Sequence, residues 1–277
     1  MRFVNHPGSN LLAIAIATTL AMAACGGSSN TSNDSGAYST SGHNSGSSSG
    51  HDGGSSSGPT GGTPGVSLGD THTGIFNYGP VDWAQTQWHN ACAGDDGYPS
   101  QIETLEGTLL AGVSNVVGTP GPYCDACVEI TSTNGRSLIA RVVTYGVLVS
   151  AGDLDLSPEA YNALYTNENS RNMSWQLVTC PGTDPLYFQF LGASSSGWSK
   201  LWIRNPRVAV AKLEVKSTNH PNFTSIPIDS DGGFNDSPRG FGNGAFTLRV
   251  TGIDGSTFEQ SFDSYPSGKL VAGSGNL

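Results

Sequence analysis

Positively charged residues are scarce in this sequence. Its 277 residues contain 12 lysines and arginines against 22 aspartates and glutamates, a formal net charge of −10. The deficit lies between residues 71 and 182, which hold 3 basic and 11 acidic side chains, whereas residues 183–277 hold 8 of each. Because like charges repel, this distribution argues against nucleic acids and anionic polysaccharides as partners, whereas a neutral polymer carries no such penalty. Acidity that serves only solubility is the alternative.

Long hydrophobic runs are also missing. Residues 11–24 form an apolar run that follows Arg2, is too short to span a bilayer and has the length of a signal-peptide core. It ends in Met22-Ala-Ala-Cys25, which resembles a bacterial lipobox with methionine where leucine is usual. We therefore expect residues 1–25 to be a signal peptide and Cys25 to be the lipidated first residue of an exported or cell-surface protein. Cleavage by an ordinary signal peptidase is the alternative.

Residues 26–70 contain too few apolar residues to form a hydrophobic core. They contain 13 glycines and 14 serines, no lysine or arginine, and a single aromatic residue, Tyr38. Such a segment cannot bury enough apolar surface to fold. As a flexible coil, its ends would lie about 40 Å apart. We predict a disordered linker, which either lets a folded unit reach an insoluble target or acts as a passive spacer.

Cysteine is used sparingly. Besides Cys25, the chain has Cys92, Cys124, Cys127 and Cys180, which in an exported protein form disulfides with three possible pairings. A structural zinc site is the less favoured alternative, because only one Cys-x-x-Cys pair is present. The histidines are isolated and lack metal-ligand spacing, so we expect no metal and no cofactor.

Residues 71–182 consist of short alternating or β-branched runs separated by turn residues. They predict strands at 74–78, 127–131, 137–144 and 174–180, with a hairpin turn at Asn134-Gly135. Helices are predicted at 101–116 and 158–165 only. Many short strands with few helices favour a small closed barrel.

Residues 183–277 continue the strand pattern without a predicted helix. A segment rich in turn-forming residues, 180–185, precedes predicted strands at 187–191, 200–204, 208–215, 245–250 and 257–262. Asp254-Gly255 predicts a hairpin turn between the last two. About 90 residues of this pattern predict a β-sandwich, so the fold class is all-β.

The most informative stretch is residues 141–164. After a strand come two carboxylates, Asp153 and Asp155, which alternate with leucines and so share one face of an extended backbone. Ser157 is a natural helix N-cap and Pro158 suits the first helical position. This arrangement predicts an acid held in a groove. We expect Asp155 to be functional and Asp153 to be a solvated loop residue; the alternative is that Asp155 only accepts backbone hydrogen bonds.

Several motifs together resemble microbial expansins. These are, in order, Cys124–Ile130 (CDACVEI), Val143-Thr144, Asp153–Tyr161 (DLDLSPEAY), Trp198, Arg204-Asn205 and Lys212–Glu214 (KLE), within about residues 71–272. The resemblance implies a six-stranded double-psi β-barrel (71–182) followed by an immunoglobulin-like β-sandwich that binds carbohydrate (183–277). It also implies the disulfides Cys92–Cys124 and Cys127–Cys180.

The resemblance also implies a non-hydrolytic action. Such a protein, expected to be a monomer without a cofactor, binds cellulose or a related β-glucan, with peptidoglycan as another possible target, and loosens polysaccharide association. Asp155 occupies the position of the acid on which loosening depends. Asn77, before Tyr78, stands where threonine is usual, and Tyr145 stands where a second groove acid is usual. Asn77, Tyr78 and Tyr145 are therefore candidate substrate-binding residues.

Hydrolysis is the less favoured reaction, because it ordinarily takes two carboxylates and Tyr145 replaces one of them. Asp95, Asp96 or Glu103 would have to supply another acid. A glycan-cleaving enzyme on the same barrel, an endoglucanase or a lytic transglycosylase, stays as one alternative. A purely carbohydrate-binding surface module stays as another.

Aromatic residues supply the second signal, because sugars stack their C–H faces on flat rings. Trp198, Lys200 and Trp202 share one face of a predicted strand and are candidate substrate-binding residues. Trp198 matches a family binding tryptophan, but its usual partner is Gly197 here and a further binding tyrosine is replaced by Asp231. Trp202 either compensates for one of these or belongs to the core. For three other aromatic residues the sequence leaves two alternatives open, lining the groove of the barrel or packing a loop: Trp83, Trp88 and Tyr98.

Overall fold

A computed structural model describes residues 65–79, 90–114, 121–146, 148, 150–166 and 171–277. The predicted signal peptide, Cys25, most of the predicted linker, Trp83 and Trp88 lie outside the described residues. Within these ranges, no helix has the length and apolar character needed to cross a membrane.

Six strands close into a barrel in the order β1-β5-β2-β4-β3-β6. They are β1 (His72–Tyr78), β2 (Leu110–Ser114), β3 (Cys127–Ser132), β4 (Ser137–Gly146), β5 (Leu154–Leu156) and β6 (Asn172–Val178). Residues facing the interior are large and apolar, as alternation along each strand requires. The fully buried ones include Phe76, Val128, Ile130, Leu154 and Leu156.

The segment before β1 also joins the barrel. The backbone N–H of Leu68 donates to the carbonyl of Leu177 (2.8 Å), and Ser67 forms a bridge with Val178. The hydrogen bonding of the barrel therefore begins before residue 71.

Among the described residues, three short α-helices accompany the barrel: α1 (Asn90–Ala93), α2 (Ser100–Glu106) and α3 (Pro158–Leu164). The N-cap of α3 is the predicted one, since the Ser157 hydroxyl accepts a bond from the Ala160 N–H at 3.3 Å. The same hydroxyl donates to the Thr108 carbonyl and accepts from the Leu110 N–H. Ser157 therefore ties the start of α3 to the start of β2.

The predicted helix over 101–116 was wrong in its second half. The helix ends before Gly107, whose φ of 69° suits glycine, and the chain continues as β2. Because β2 lies between β4 and β5, it is buried along its whole length, is apolar up to Ser114 and shows no strand alternation. A short continuous apolar run cannot be told from a buried helix by periodicity.

The remaining strands form two four-stranded sheets, which together with the barrel confirm the predicted fold class. One has the order β10-β9-β12-β13 and the other β11-β8-β7-β14. The strands are β7 (Tyr187–Phe190), β8 (Ser199–Arg204), β9 (Val210–Lys216), β10 (Thr224–Ile226), β11 (Phe234–Asp236), β12 (Phe246–Gly252), β13 (Thr257–Phe262) and β14 (Leu270–Ala272). Edge-to-face and stacked phenylalanine rings fill their common core, notably Phe188, Phe190, Phe246 and Phe262.

The four cysteines form the two expected disulfides. Cys92 pairs with Cys124 and Cys127 pairs with Cys180, with Cα–Cα distances of 5.5 and 5.2 Å. The zinc alternative is therefore wrong. The described residues contain no cluster of three or more histidine, cysteine, aspartate or glutamate side chains suited to a metal ion.

The barrel and the sandwich are joined through a buried ion pair. The guanidinium of Arg204, which is fully buried, contacts the carboxylate of Asp125 at 2.7 Å and stacks on the ring of Tyr98. Next to it, Arg141 of the barrel donates to the side chain of Asn205 at 3.0 Å. The Cys-Asp-Ala-Cys and Arg-Asn motifs noted in the sequence thus meet at this junction.

Candidate functional site

Asp155 lies on β5 between two other barrel strands. It is directly opposite Asn77 of β1 and Gly112 of β2, and Gly112 in turn is opposite Thr144 of β4. Its neighbours Leu154 and Leu156 point into the core, so Asp155 points outward and is half-buried. A Cβ on Gly112 would lie 2.8 Å from the Thr144 methyl group and 3.7 Å from the Asp155 Cβ. The glycine therefore keeps this row of residues free of a crowding side chain.

The surroundings of Asp155 favour its protonated form. Burial raises the pKa of Asp155, the hydrogen bond from Asn77 lowers it, and the charge of Asp153 raises it, with a net upward shift. The side-chain carbonyl of Asn77 accepts a bond from Arg171 at 2.9 Å. The Asn77 amide is thereby held between Arg171 and Asp155. Asp155 can act as either donor or acceptor toward a bound hydroxyl group, depending on pH.

Asp153 is not the solvated loop residue that we expected. It is 3% exposed, and its two carboxylate oxygens accept bonds from the backbone N–H groups of Ile75 and Ser150, both at 3.0 Å. Asp153 therefore has the backbone-bonding role that was the alternative for Asp155. It fastens the loop before β5 to β1 and fixes the position from which Asp155 projects.

Tyr78 is exposed at the end of β1 and belongs to a tyrosine cluster that the sequence did not reveal. Its ring packs edge-to-face on Tyr161 of α3 at 5.0 Å, and Tyr161 contacts Tyr165 at 5.1 Å. The i, i+4 spacing of Tyr161 and Tyr165 was a signal that these two rings share one face of a helix. Tyr78 is opposite Leu156 and Asn77 is opposite Asp155, so the ring cluster and the carboxylate occupy neighbouring rows of the barrel whose side chains point to opposite faces.

Tyr145 lies one position along the strands from the row of Asp155, where a row is the set of residues that are directly opposite one another on neighbouring strands. It is opposite Val113, which is opposite Leu154, and it packs partly buried against the barrel core. Rows that are adjacent along a strand point to opposite faces. The register therefore places Thr144, and not Tyr145, in the row of Asp155. Arg171 and Thr144 are the two polar residues of this site that the sequence reasoning missed.

Trp198 is half-buried in the turn before β8, and a polar network holds its ring. The indole N–H donates to the side chain of Asn235 at 2.8 Å, and Asn235 donates to Asp229 at 3.0 Å. The ammonium group of Lys200 lies 3.0 Å from Asp229 and 2.8 Å from Asp231. Burial lowers the pKa of Lys200, but its bonds to Asp231 and Asp229 outweigh burial and raise the pKa. Lys200 is thus a structural cation that organises the surroundings of Trp198.

The prediction that Trp202 provides a binding surface was wrong. Trp202 is 1% exposed, and its indole N–H donates to the carbonyl of Asp231 at 3.2 Å. A Cβ on Gly94 would lie 1.9 Å from Trp202, so the ring packs directly on the barrel loop that carries Gly94. Trp202 therefore belongs to the junction of barrel and sandwich, which leaves Trp198 as the candidate sugar-stacking ring of the second region.

The other acids considered from the sequence lie elsewhere. Asp96 accepts a bond from the backbone N–H of Gly192 at 2.6 Å, and Glu103 lies in the first turn of α2. Tyr98 donates to Asp125 and stacks on Arg204, so it belongs to the junction. Asp153 is the one carboxylate in the described part of the chain whose charge shifts the pKa of Asp155.

Comparison with known proteins supports the same architecture. The apo expansin of Clavibacter michiganensis superposes with a TM-score of 0.60 and 18% sequence identity, covering 75% of this chain and 98% of that one. A mutant of the same expansin in complex with cellohexaose gives the same values. No protein-family model and no curated protein matches the chain. The protein thus has the fold of a bacterial expansin.

Proposed function

We propose that this protein is an expansin-like protein that binds a neutral β-glucan such as cellulose and weakens the association between glucan chains without cleaving them. The observation that carries the proposal is the state of the two carboxylates at the barrel site. Asp155 is half-buried and open to a ligand, whereas both oxygens of Asp153 are occupied by backbone N–H groups.

This arrangement disfavours hydrolysis. Glycoside hydrolysis ordinarily needs a general acid together with a base or nucleophile at a defined separation. With Asp153 tied to the backbone, Asp155 has no free carboxylate partner among the described residues. A single carboxyl group beside the Asn77 amide can instead exchange hydrogen bonds with sugar hydroxyls and compete with those between glucan chains.

Trp198 supports the binding half of the proposal. Its indole N–H is committed to Asn235, so the ring is held in one orientation while remaining partly exposed. A fixed aromatic ring stacks on the C–H face of a sugar with little loss of side-chain entropy. The excess of acidic residues on the barrel side favours a neutral polymer over an anionic one.

The test compares wild type with Asp155→Asn and with Asp263→Asn, an exposed aspartate of the second region that serves as matched control. We would measure binding to amorphous cellulose, weakening of cellulose paper under load, and release of soluble sugar fragments. We expect binding and weakening by wild type and the control, loss of weakening in Asp155→Asn, and no release of fragments. Binding without weakening by wild type would instead support a purely binding module, and weakening that persists in Asp155→Asn would contradict the role of Asp155.

The raised pKa of Asp155 favours one second candidate, a cleavage that needs a single acid. In such a reaction the acid protonates the glycosidic oxygen as its bond to the anomeric carbon breaks, a hydroxyl of the same sugar forms the new bond to that carbon, and the proton of this hydroxyl returns to the carboxylate. Release of soluble fragments from cellulose or peptidoglycan by wild type, lost in Asp155→Asn, would establish this alternative and contradict the proposal.

We further propose that the protein acts outside the cell, held there by a lipid at Cys25 or released. Two disulfides in a folded region of this size support export, because disulfides persist in oxidising compartments. Metabolic labelling with a radioactive fatty acid, with Cys25→Ser as control, tests the lipid. Label that stays in Cys25→Ser would contradict lipidation at this residue.

A further inference from the structure

A row of hydroxyl side chains crosses the outer face of four adjacent antiparallel barrel strands. Thr73 of β1 is directly opposite Ser174 of β6, Ser174 is opposite Thr131 of β3, and Thr131 is opposite Ser137 of β4. We name these four residues the hydroxyl strip. Since neighbouring strands lie about 4.8 Å apart, the strip is about 14 Å long and runs straight across the sheet.

The strip faces solvent and borders a cavity. Thr73, Thr131 and Ser137 are exposed and Ser174 is half-buried. Beside the strip is a shallow cavity of about 120 Å³, lined by Thr71, Glu129, Thr131, Ser174, Trp175 and Gln176. The indole N–H of the buried Trp175 donates to the Gly152 carbonyl at 2.7 Å, which fixes the orientation of this ring.

Several polar groups of this surface are available to a ligand. Within the described part of the chain, the hydroxyls of Thr73 and Ser174 and the carboxylate of Glu129 have no hydrogen-bond partner. The carbonyl oxygen of Gln176 accepts from Ser67 at 3.1 Å, which leaves its amide N–H groups available as donors. Thr131 donates to Ser137 at 3.3 Å, a long bond that a better partner can replace. The cavity therefore offers both hydrogen-bond donors and acceptors.

The chemistry of this surface fits a neutral, polyhydroxylated ligand. Hydroxyl, amide and carboxylate groups together can both donate to and accept from sugar hydroxyls. The residues that line the cavity include no lysine or arginine, so an anionic ligand would meet Glu129 without compensation. The lining offers too little apolar surface for an apolar ligand.

The strip is continuous with the Asp155 site along β1. Thr73 and Asn77 lie on the same outward face of β1, because alternate residues share a face, and they are about 14 Å apart. Asn77 is the direct neighbour of Asp155. A polymer lying along the outer face of β1 from Asn77 would therefore reach the strip at Thr73, from which Ser174 and Thr131 continue across β6 and β3.

We propose that the hydroxyl strip and its cavity form a second glucan subsite, which lengthens the binding surface of the barrel beyond Asp155. This inference rests on the proposed function, because it takes the same neutral β-glucan as ligand. It assigns to Ser174 and Thr131 the main contacts, with Thr73 connecting the subsite to the Asp155 site.

The experiment is a titration of the ¹⁵N-labelled protein with cellohexaose, followed by the backbone amide signals. Thr73, Thr131 and Ser174 report on the strip; Asn77, Asp155 and Trp198 report on the proposed function. The variant Ser174→Ala/Thr131→Ala removes two hydroxyls, and Thr73→Ala serves as a second variant if the first does not fold. The matched control is Thr247→Ala/Ser261→Ala, a cross-strand hydroxyl pair on the outer face of the other region whose members bond to each other at 2.9 Å.

We expect saturable shifts at the strip, with a dissociation constant about tenfold weaker in the strip variant and unchanged in the control, because two hydrogen bonds are lost. Shifts at Asn77, Asp155 and Trp198 alone would overturn the strip and leave the proposed function standing. Shifts at the strip alone would support the strip and contradict the site of the proposed function. The absence of shifts everywhere would overturn both.

Discussion

The buried ion pair between Asp125 and Arg204 provides the sharpest stability prediction. Arg204 donates to Asp125, to the backbone carbonyls of Cys92 and Ala93, and to the side chain of Gln189, at 2.7 to 3.1 Å. These four partners come from three separate segments of the chain, and none of them is exposed. Asp125→Asn removes the compensating charge while keeping the shape of the side chain. Asparagine also tolerates the positive φ of 65° at this position.

The expected loss follows from the contacts that remain. Breaking a buried ion pair by removing one partner costs about 3–5 kcal/mol, because the other charge stays buried. Arg204 retains its two backbone carbonyls and Gln189, so we place Asp125→Asn near the lower end, at about 3 kcal/mol. In a folded region of about 200 residues this corresponds to a melting temperature lower by about 6–12 °C. Arg204→Met should cost more, because it leaves the carbonyls of Cys92 and Ala93 without a donor.

Urea and thermal unfolding of wild type and Asp125→Asn, followed by tryptophan fluorescence, measure this loss. Asp263→Asn is the control, because it removes an exposed carboxylate. The double variant Asp125→Asn/Arg204→Met should be little worse than Arg204→Met alone, since the two residues act as a pair. A loss below about 1 kcal/mol for Asp125→Asn would refute the reasoning, because a charge that tolerates the removal of its partner is not effectively buried.

Three further predictions concern the junction and the barrel site. Gly94→Ala should lower the free energy of unfolding by at least about 2 kcal/mol, because its Cβ would lie 1.9 Å from Trp202. The control is Gly97→Ala, which has a similar φ but no atom within 4 Å and therefore shows the cost of backbone strain alone. Equal losses of the two variants in urea unfolding would contradict the contact with Trp202. Asp153→Ala should cost about 2–4 kcal/mol, since it leaves two backbone N–H groups without acceptors, and an unchanged unfolding midpoint would disprove that role. The pKa of Asp155 is raised in the folded state, so the folded state binds more protons than the unfolded state and stability falls as pH rises from about 3.8 through the raised pKa. Asp155→Asn should therefore be at least as stable as wild type at about pH 7, and this advantage should vanish at acid pH; a variant that is less stable at neutral pH would contradict the sign.

The barrel site shows how far a sequence pattern reaches. The alternation of Asp153, Leu154, Asp155 and Leu156 predicted an extended segment with the leucines inside, and the structure has both leucines fully buried. The same pattern could not indicate which of the two carboxylates is available to a ligand. Their environments differ because two backbone N–H groups donate to Asp153 only. One belongs to Ile75, which is distant in sequence, and the other to Ser150 in the loop before β5.

The two tryptophans of the second region make the same point. Trp198 and Trp202 are four residues apart, so they would share one face of an extended strand, and the sequence around them predicts a single strand. In the structure Trp198 precedes β8, while Trp202 lies within it and is covered by the loop of Gly94. Gly94 is 108 residues earlier in the chain, and no local property of β8 indicates that it will pack there.

By itself, the sequence determined the features that depend on near neighbours along the chain: strand alternation, the Ser157-Pro158 helix start, the hairpin turns, and the division of charge between the two regions. Resemblance of its motifs to a family supplied the disulfide pairing and the double-psi barrel. Only the tertiary structure decided which acid is free, which ring is buried, that β2 is a strand, and that four hydroxyl residues form one row. These depend on contacts between residues far apart in sequence, where burial and strand register, and not local propensity, determine the environment of each side chain.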